Sequence, residues 1–422
     1  AEQTATGPYF TYDPMDNPVL CWMEKTAGDS MYRLAFAAYD PSTQQFRSKS
    51  VVIGSDGLNP TSESMGKLAF KHDGTIVAVF GKRFINEKNP FAGGIYYTLS
   101  GDGGNSWTSP RFLHTDTARH YGRQFFDLAR LANGEVGAIW LDGRDTAQHG
   151  STLFFASTSP GNGFDLETVI HRGTCECCRT DLLVDRSGQL HIAYRSLMYP
   201  DSRFGTEVRD MAYVHSTDNG RTFSDEQPIS ADLWAIQACP HTGPSLAIGE
   251  NWLHATWFTG GGGTGIYYAR KNVAHESFEP RILLSKSGSH PQLTTLDGST
   301  AVAVYDEPAH STGTASGHNH GQAEHRNHTG AHDHHGKHGS HQGYTDHRRS
   351  DSEQPSDQAI AIRVQRLVDG QPGPAIALVS EGINHHPVIA RAGRQVIVAW
   401  VQETGRRSQI VYTVFDAAVD RL

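Results

Sequence analysis

One strand–turn–strand pattern returns seven times along this chain, and this repeat limits the fold more than any other feature of the sequence. Each copy places a polar turn between two apolar stretches, and no long segment shows helical periodicity. Turns such as His72-Asp73-Gly74 and Ala132-Asn133-Gly134 contain the Gly, Asn and Asp residues that hairpins require. The predicted hairpins are Tyr9–Glu24, Lys67–Lys82, Phe125–Asp142, Asp181–Arg195, Ser245–Phe258, Gln292–Asp306 and Pro387–Gln402.

A third strand follows every hairpin, and a shorter fourth strand follows several of them. Gly94–Leu99 and Met211–Ser216 are examples of third strands, and Thr168–His171 is an example of a fourth. Successive hairpins begin about 47 to 64 residues apart, except for one interval of about 95 residues. Four strands at this period predict an all-β fold, a β-propeller of four-stranded antiparallel blades that bury one continuous core. Seven blades are expected, with six as the alternative.

Two turns between third and fourth strands share a stricter pattern, Ser-x-Asp-x-Gly-x-x-aromatic. They are Ser100–Trp107 and Ser216–Phe223, and Ser157–Phe164 is a degenerate third copy. The aspartate is expected to accept turn N–H groups, the glycine to adopt a positive φ, and the ring to pack between blades. The pattern resembles the Asp-box (BNR repeat) of the sialidase superfamily. This resemblance implies a sialidase-like, non-catalytic propeller, because Asp-boxes are structural and lie away from sialidase active sites.

The long interval in the repeat holds a histidine-rich insertion, predicted to be disordered, over residues 307–357. It contains too little apolar surface to fold alone. The chain is therefore predicted to form a single propeller domain over residues 1–422, with the insertion between strands two and three of the sixth blade. Imidazole-rich tracts bind Cu(II), Zn and Ni, so weak metal capture is expected, with an inert linker as the alternative. The capturing histidines are His318, His320, His325, His328, His332, His334, His335, His338 and His341.

Three cysteines within four residues are the sharpest chemical feature of the sequence. Loops that precede the first strand of each blade meet near the propeller axis, so Cys175-Glu176-Cys177-Cys178 and Cys239-Pro240-His241 are expected around one channel mouth. A cluster of thiolates is a soft ligand set that favours Cu(I), with zinc as the alternative. The spacing does not match the paired Cys-x-x-Cys knuckles of a structural zinc site. The predicted metal ligands are Cys175, Cys177, Cys178, Cys239 and His241.

Disulfides are the alternative interpretation of the same cluster, with Cys239 paired to one member or with a bond inside the cluster. Both interpretations hold together if one pair is oxidised and the remaining thiols bind metal. Cys21, on a second strand, is expected to be buried and without a role in the site. Further residues expected on this face, as thioether ligands or supporting groups, are Met198, Met211, His290, His385 and His386.

Net charge and hydropathy limit the possible cellular location and binding partners of the protein. A net charge of −9 argues against a nucleic-acid partner. Apolar runs such as Val396–Val401 are far shorter than the ~18 residues of a membrane helix, so no membrane span is expected. The sequence starts at Ala1 without a Met, as a chain does after signal-peptide removal, which predicts a periplasmic or extracellular location. The predicted partners are metal ions and a copper chaperone or outer-membrane transporter.

These features together predict a copper-binding protein that acts in copper scavenging, storage or delivery. The alternatives are a zinc-binding or redox protein on the same fold, or an exo-sialidase-like glycoside hydrolase. The last needs an arginine clamp for a carboxylate, a Tyr–Glu nucleophile pair and an Asp acid/base. The nearest match to the superfamily's first arginine motif, Tyr32-Arg33-Leu34-Ala35, lacks the proline of that motif. Such a site would have to use Arg123, Arg144, Arg195, Arg209, Asp145 and Tyr194.

Overall fold

Twenty-eight β-strands build the part of the chain that the structure, a computed structural model, describes. The described residues are 3–26, 28–199, 205–238, 240–309, 359–378, 382–405 and 407–416. Over these ranges the structure has no helix, and thus none long and apolar enough to cross a membrane. Residues 310–358 lie outside them, and so do Cys239 and every histidine of the predicted metal-capturing tract.

Sixteen strands form four separate four-stranded antiparallel sheets, each built from strands that follow one another along the chain. The first two sheets are β6 (Lys67–Phe70), β7 (Ile76–Arg83), β8 (Gly93–Ser100) and β9 (Arg111–Phe112), and β10 (Arg123–Arg130), β11 (Val136–Asp142), β12 (Ser151–Ser157) and β13 (Thr168–Thr174). The other two are β14 (Asp181–Val184), β15 (Leu190–Arg195), β16 (Met211–Ser216) and β17 (Gln227–Pro228), and β18 (Ser245–Ile248), β19 (Trp252–Thr259), β20 (Gly265–Asn272) and β21 (Ile282–Ser285).

The remaining twelve strands form one larger sheet that consists of three antiparallel units. These units are β1 (Gln3–Tyr12), β2 (Pro18–Thr26), β3 (Arg33–Asp40), β4 (Gln45–Phe46) and β5 (Ser50–Val51); β22 (Ser289–Thr295), β23 (Thr300–Pro308), β24 (Ile360–Val368) and β25 (Gln371–Leu378); and β26 (Ile383–Ala392), β27 (Gln395–Thr404) and β28 (Arg407–Asp416). Single parallel bridges, Thr4 to Ser408 and Ile360 to Ile383, join the units. Because three units share one hydrogen-bonded sheet, the predicted count of seven blades stays a prediction.

The first strands of successive units contact one another and close into a ring, from β1 through β6, β10, β14, β18, β22 and β26 back to β1. Side chains of one first strand bond to the backbone of the next. Asp127 accepts the Leu182 N–H at 2.8 Å, and Asp181 accepts the Leu246 N–H at 2.6 Å. These bonds occupy N–H groups that strand pairing within a unit leaves free. The predicted hairpins are therefore confirmed as the inner strand pairs of a closed ring.

Four first strands share one irregularity, in which two residues lie opposite a single aromatic residue of the second strand. Gly7 and Pro8 of β1, for example, both lie opposite Trp22. This is a β-bulge, and its first residue has a left-handed backbone with φ between 50° and 60° in every copy. The other copies are Phe125-Phe126 opposite Trp140, His290-Pro291 opposite Tyr305, and His386-Pro387 opposite Trp400.

The two turns with the Ser-x-Asp-x-Gly pattern have matching hydrogen bonds. The carboxylate of Asp102 accepts the N–H and the hydroxyl of Ser106, and Asp218 accepts the same two groups of Thr222. Gly220 has a φ of +82°, as the turn requires. The local geometry expected from the pattern is thus present in both turns. The resemblance to the Asp-box stays a resemblance.

Strand pairing between β23 and β24 continues through Pro308 and Ile360. Glu307, where the sequence placed the start of the insertion, lies in β23. Its carboxylate accepts a hydrogen bond from the Arg363 Nε at 2.9 Å. The boundary was therefore predicted slightly too early, because a charged residue at the end of a strand has no apolar signature.

Candidate metal centre

Cys175, Cys177 and Cys178 occupy the turn between β13 and β14, directly before a first strand, as the sequence predicted. Their sulfur atoms all lie within 4.8 Å of one another. The Sγ of Cys175 is 3.5 Å from that of Cys178 and 3.8 Å from that of Cys177. All three side chains are buried in an apolar cluster that includes Phe125 and Leu182. The turn therefore gathers three sulfur atoms away from bulk water.

The three cysteines of this turn are not in the same chemical state. Cys175 and Cys178 are free thiols, whereas Cys177 is disulfide-bonded. Cys177, predicted as a thiolate ligand, therefore offers no thiolate in this state. The mixed outcome that the sequence allowed, one oxidised cysteine beside reduced thiols, is the one that the structure contains. Cys21 is a free thiol buried in β2, as expected, and burial raises its pKa to about 12.

The two free thiols of the turn differ in acidity. The pKa of Cys175 is lowered to about 6, and the hydrogen bond from Cys178 is the largest cause. Burial raises this pKa, whereas the positive charge of Arg209 lowers it further. The Nη1 of Arg209 lies 3.5 Å from the Cys175 sulfur. Burial and the neighbouring Cys175 raise the pKa of Cys178 well above its usual value. These contacts favour the thiolate form of Cys175, which can accept hydrogen bonds from the Cys178 thiol and the Arg209 guanidinium.

A second guanidinium, that of Arg195, is buried beside the first. Only 1% of Arg195 is exposed, and it donates to the carbonyl oxygens of Arg209 at 2.8 Å and Phe258 at 2.9 Å. The Nε atoms of Arg195 and Arg209 are buried and have no hydrogen-bond partner among the described residues. Glu207 is the carboxylate that pairs with Arg209, at 3.4 Å. Glu207 and Glu176 act on Arg209, and Asp210 acts on Arg195, so carboxylates offset part of the two positive charges; the Arg209 guanidinium nevertheless contacts the Cys175 sulfur directly.

The other candidates fall into two groups. Met198 is partly buried against the same apolar cluster as the cysteines, so its thioether stays a candidate ligand. Met211 is fully buried in β16, within a different core cluster. His241 is exposed and lies outside the described ligand atoms that converge within 4.8 Å. Glu176 is exposed to water.

The arginines considered for a carboxylate clamp are already paired with acidic side chains or with backbone. Arg123 pairs with Asp142 at 3.0 Å, and Arg144 pairs with both Asp142 and Glu167. Tyr194 donates to Glu226 Oε2 at 2.7 Å, which is the Tyr–Glu combination of a sialidase nucleophile. Its side chain is fully buried, however, and burial together with Glu226 raises its pKa well above the usual value. It is therefore not an activated nucleophile.

Sequence reasoning missed a second convergence of ligand atoms, formed by Glu63, His290 and His386. Glu63 lies in the loop before β6, so it follows the same rule that drew attention to the cysteine turn. Applying that rule to every unit would have found it. Burial opposes the effect of neighbouring cations, but Arg179 and the two histidines lower the pKa of Glu63 to about 2. Burial lowers the pKa of His386 to about 4 despite its hydrogen bond with Glu63.

No family model matches the sequence, and no curated protein matches it either. Among solved structures, the polysaccharide lyase Uly1 is 10% identical and has a TM-score of 0.54, covering 98% of this chain and 90% of that one. The NanB sialidase from Streptococcus pneumoniae is 8% identical, with a TM-score of 0.48 over 97% of this chain and 85% of its own. The β-propeller domain of the Trilobed protease from Pyrococcus furiosus is also 8% identical, with a TM-score of 0.47 over 99% and 98%.

The fold is a β-propeller. The closed ring of antiparallel units leads to this conclusion. Identities near 10% concern the fold alone, because propellers of one architecture host unrelated functions. The function of this chain therefore has to be argued from its own side chains.

Proposed function

We propose that this protein binds copper as Cu(I) through Cys175 and Cys178, and that it acts in copper scavenging, storage or delivery. The observation that carries the proposal is the pair of reduced, buried sulfur atoms 3.5 Å apart. Soft thiolate ligands select Cu(I), which is stable with few ligands. Zinc is the weaker candidate, because structural zinc takes four ligands and Cys177 is oxidised.

The charges around the pair support a monovalent cation. Cu(I) bound by two thiolates carries a net charge of −1, and the buried guanidinium groups of Arg195 and Arg209 offset a charge of that sign. Met198 offers a thioether beside the same core cluster as a further soft ligand. His241 is proposed only as an outer ligand, because its side chain is exposed.

The disulfide at Cys177 supports the proposed periplasmic or extracellular location, since disulfides persist in oxidising compartments. A copper chaperone or an outer-membrane transporter stays the proposed exchange partner. Histidines 318–341 are proposed as a weaker metal-capturing tract.

Competition with a Cu(I)-specific chelator tests the proposal. Ascorbate as reductant leaves disulfides intact, and the chelator strips weak sites, so only the tight site is counted. C175S and C178S should lose one tightly held Cu(I), whereas C21S, which removes an equally buried thiol far along the chain, should keep it. Unchanged Cu(I) retention in C175S and C178S would rule the site out. Matched far-ultraviolet spectra and melting temperatures check that the variants fold.

Thiol–disulfide exchange at the same pair is the second candidate. Cys175 and Cys178 have Cys-x-x-Cys spacing, and one thiolate with a lowered pKa beside a thiol is the arrangement of redox-active pairs. Rapid alkylation of Cys175 in the metal-free protein, together with absent tight Cu(I) binding, would favour this candidate. Hydrolysis of a sialic acid reporter by metal-free protein would instead favour the glycosidase alternative, which has only the fold as support.

A further inference from the structure

A second cluster of ligand atoms joins three units of the propeller. Glu63 comes from the loop before β6, His290 from β22 and His386 from β26. The Oε1 of Glu63 lies 3.0 Å from the Nε2 of His386 and 3.6 Å from the Nε2 of His290. The two imidazole rings stack with their centres 3.9 Å apart. One carboxylate oxygen and two imidazole nitrogens therefore face a common point.

The groups behind the two imidazoles determine which ring nitrogen is available to an ion. Asp306 Oδ2 lies 2.7 Å from the Nδ1 of His290, and it also accepts the His386 backbone N–H at 2.8 Å. A carboxylate only accepts, so the Nδ1 of His290 donates, and in the neutral ring Nε2 keeps a lone pair. This assignment follows from the hydrogen bonds.

The same reasoning applies to His386 through its neighbour. Glu403 Oε1 lies 3.1 Å from the Nε2 of His385, which therefore donates. The Nδ1 of His385 is then an acceptor, 2.6 Å from the Nδ1 of His386. The Nε2 of His386 donates to Glu63 Oε1 when no ion is bound, and a cation can take its place when the ring proton is carried on Nδ1, toward His385. Each imidazole is thus oriented by a carboxylate, directly or through one further histidine, as metal-binding histidines are.

The ligand atoms of these three buried or half-buried side chains all lie within 4.8 Å of one another, a set that can hold a cation once the ring protons facing Glu63 leave. We propose that Glu63, His290 and His386 form a binding site for a divalent transition-metal ion of the Zn(II) or Cu(II) class. Two imidazoles and one carboxylate suit such borderline ions, and they leave coordination positions open for water or a further ligand. Arg179, 3.0 Å from Glu63 Oε2, holds the carboxylate so that Oε1 faces the histidines.

The backbone supports a binding role for this cluster. His290 and His386 are both first residues of the β-bulges described above, with φ of 50° and 52°. A bulge turns its first residue out of the strand alternation, which places both imidazoles at the cluster. The proposed site shares no ligand with the Cys175–Cys178 pair, so each proposal can fail without the other.

Zinc anomalous scattering from crystals of the full chain tests the site directly. Crystals soaked with zinc chloride should give an anomalous difference peak within ~2.0–2.2 Å of both Nε2 atoms and of a Glu63 oxygen. Zinc peaks elsewhere with none at this point would overturn the proposal. This measurement uses the unaltered protein and does not depend on any variant folding.

Zinc retention in solution gives an independent test. After dialysis against nitrilotriacetate, E63Q, H290N and H386N should each retain one equivalent of zinc fewer than the unaltered chain. Asparagine is chosen because it tolerates a left-handed backbone. H149N is the matched control, since His149 also pairs with a carboxylate, Glu207, at 2.6 Å but outside the cluster. The difference should persist in a C175S/C178S background; equal retention by all variants would contradict the assignment.

Discussion

Replacing Asp181 with asparagine is expected to stabilise the protein above pH 7 and to change its stability little near pH 4. Asp181 is the first residue of β14 and lines a cavity of about 330 Å³ near the ring of first strands. Burial is the largest cause that raises its pKa from 3.8 to about 7, and the carboxylate of Asp127 adds to it. The Leu246 N–H, Lys67 and Arg179 oppose the rise but do not cancel it.

The sign and the size of the effect follow from proton linkage. A carboxyl with a raised pKa binds its proton more tightly in the folded state than in the unfolded state. Its contribution to stability is therefore greatest at low pH and is lost as the pH rises from about 4 to 7. A pKa of about 7 in the folded state, against 3.8 in the unfolded state, lowers the free energy of unfolding by at most about 4 kcal/mol at pH 8. Water in the cavity and the coupling to Asp127 reduce that figure.

Guanidinium unfolding of both proteins at pH 4.5 and pH 8 measures this prediction. The asparagine side chain still accepts the Leu246 N–H, so the inter-strand bond is kept. D185N is the control of opposite sign. Burial raises the pKa of Asp185, but hydrogen bonds from Ser187, Gln189 and His191 outweigh it and lower the pKa. D185N should therefore destabilise the protein at neutral pH, and it should do so less at pH 3. Equal effects of D181N at both pH values would refute the argument.

Three further predictions concern the cysteines, one turn and the histidine-rich tract. A disulfide of Cys177 within one chain uses two of the five cysteines, so thiol titration in denaturant without reductant should find three free thiols. Gly74→Ala should lower the free energy of unfolding by about 1–2 kcal/mol, because of its left-handed backbone alone. Gly220→Ala should lower it by about 1–3 kcal/mol more, because its Cβ would lie 2.2 Å from the Phe155 ring. Urea unfolding midpoints should therefore be lower for Gly220→Ala than for Gly74→Ala. Deleting residues 310–356 should remove weakly held copper, measured by equilibrium dialysis, and leave the chelator-resistant ion bound; loss of that ion would place it on the tract.

Local sequence signals were sufficient to predict the inner hairpins. Phe125–Asp142, for example, corresponds to β10 and β11, because apolar strands around an Asn-Gly turn have few other ways to fold. The location of the cysteine turn was also predictable, since every loop before a first strand approaches the ring. Both predictions depend only on period and position along the chain.

The chemical state of the cluster was not predictable in the same way. Whether Cys177 is oxidised depends on a contact made after folding, and five cysteines allow several pairings. The hydrogen bond from Cys178 is the largest cause of the lowered pKa of Cys175, but Arg209, which adds to it, is 34 residues away in sequence. Sequence spacing carries no record of either contact.

The bulges explain why chemistry concentrates at the start of the first strands. A regular strand alternates its side chains between two faces, and a bulge turns one residue out of that alternation. In β22 and β26 the turned residues are His290 and His386, which a hairpin-based reading places before the strands rather than inside them. Gly7, at the same position in β1, has no side chain to contribute, and a Cβ there would lie 2.5 Å from Met23. The same β-bulge thus allows close packing in one unit and places a proposed ligand in two others. The identity of the first bulge residue therefore decides whether a unit contributes only to the fold or also to the proposed site.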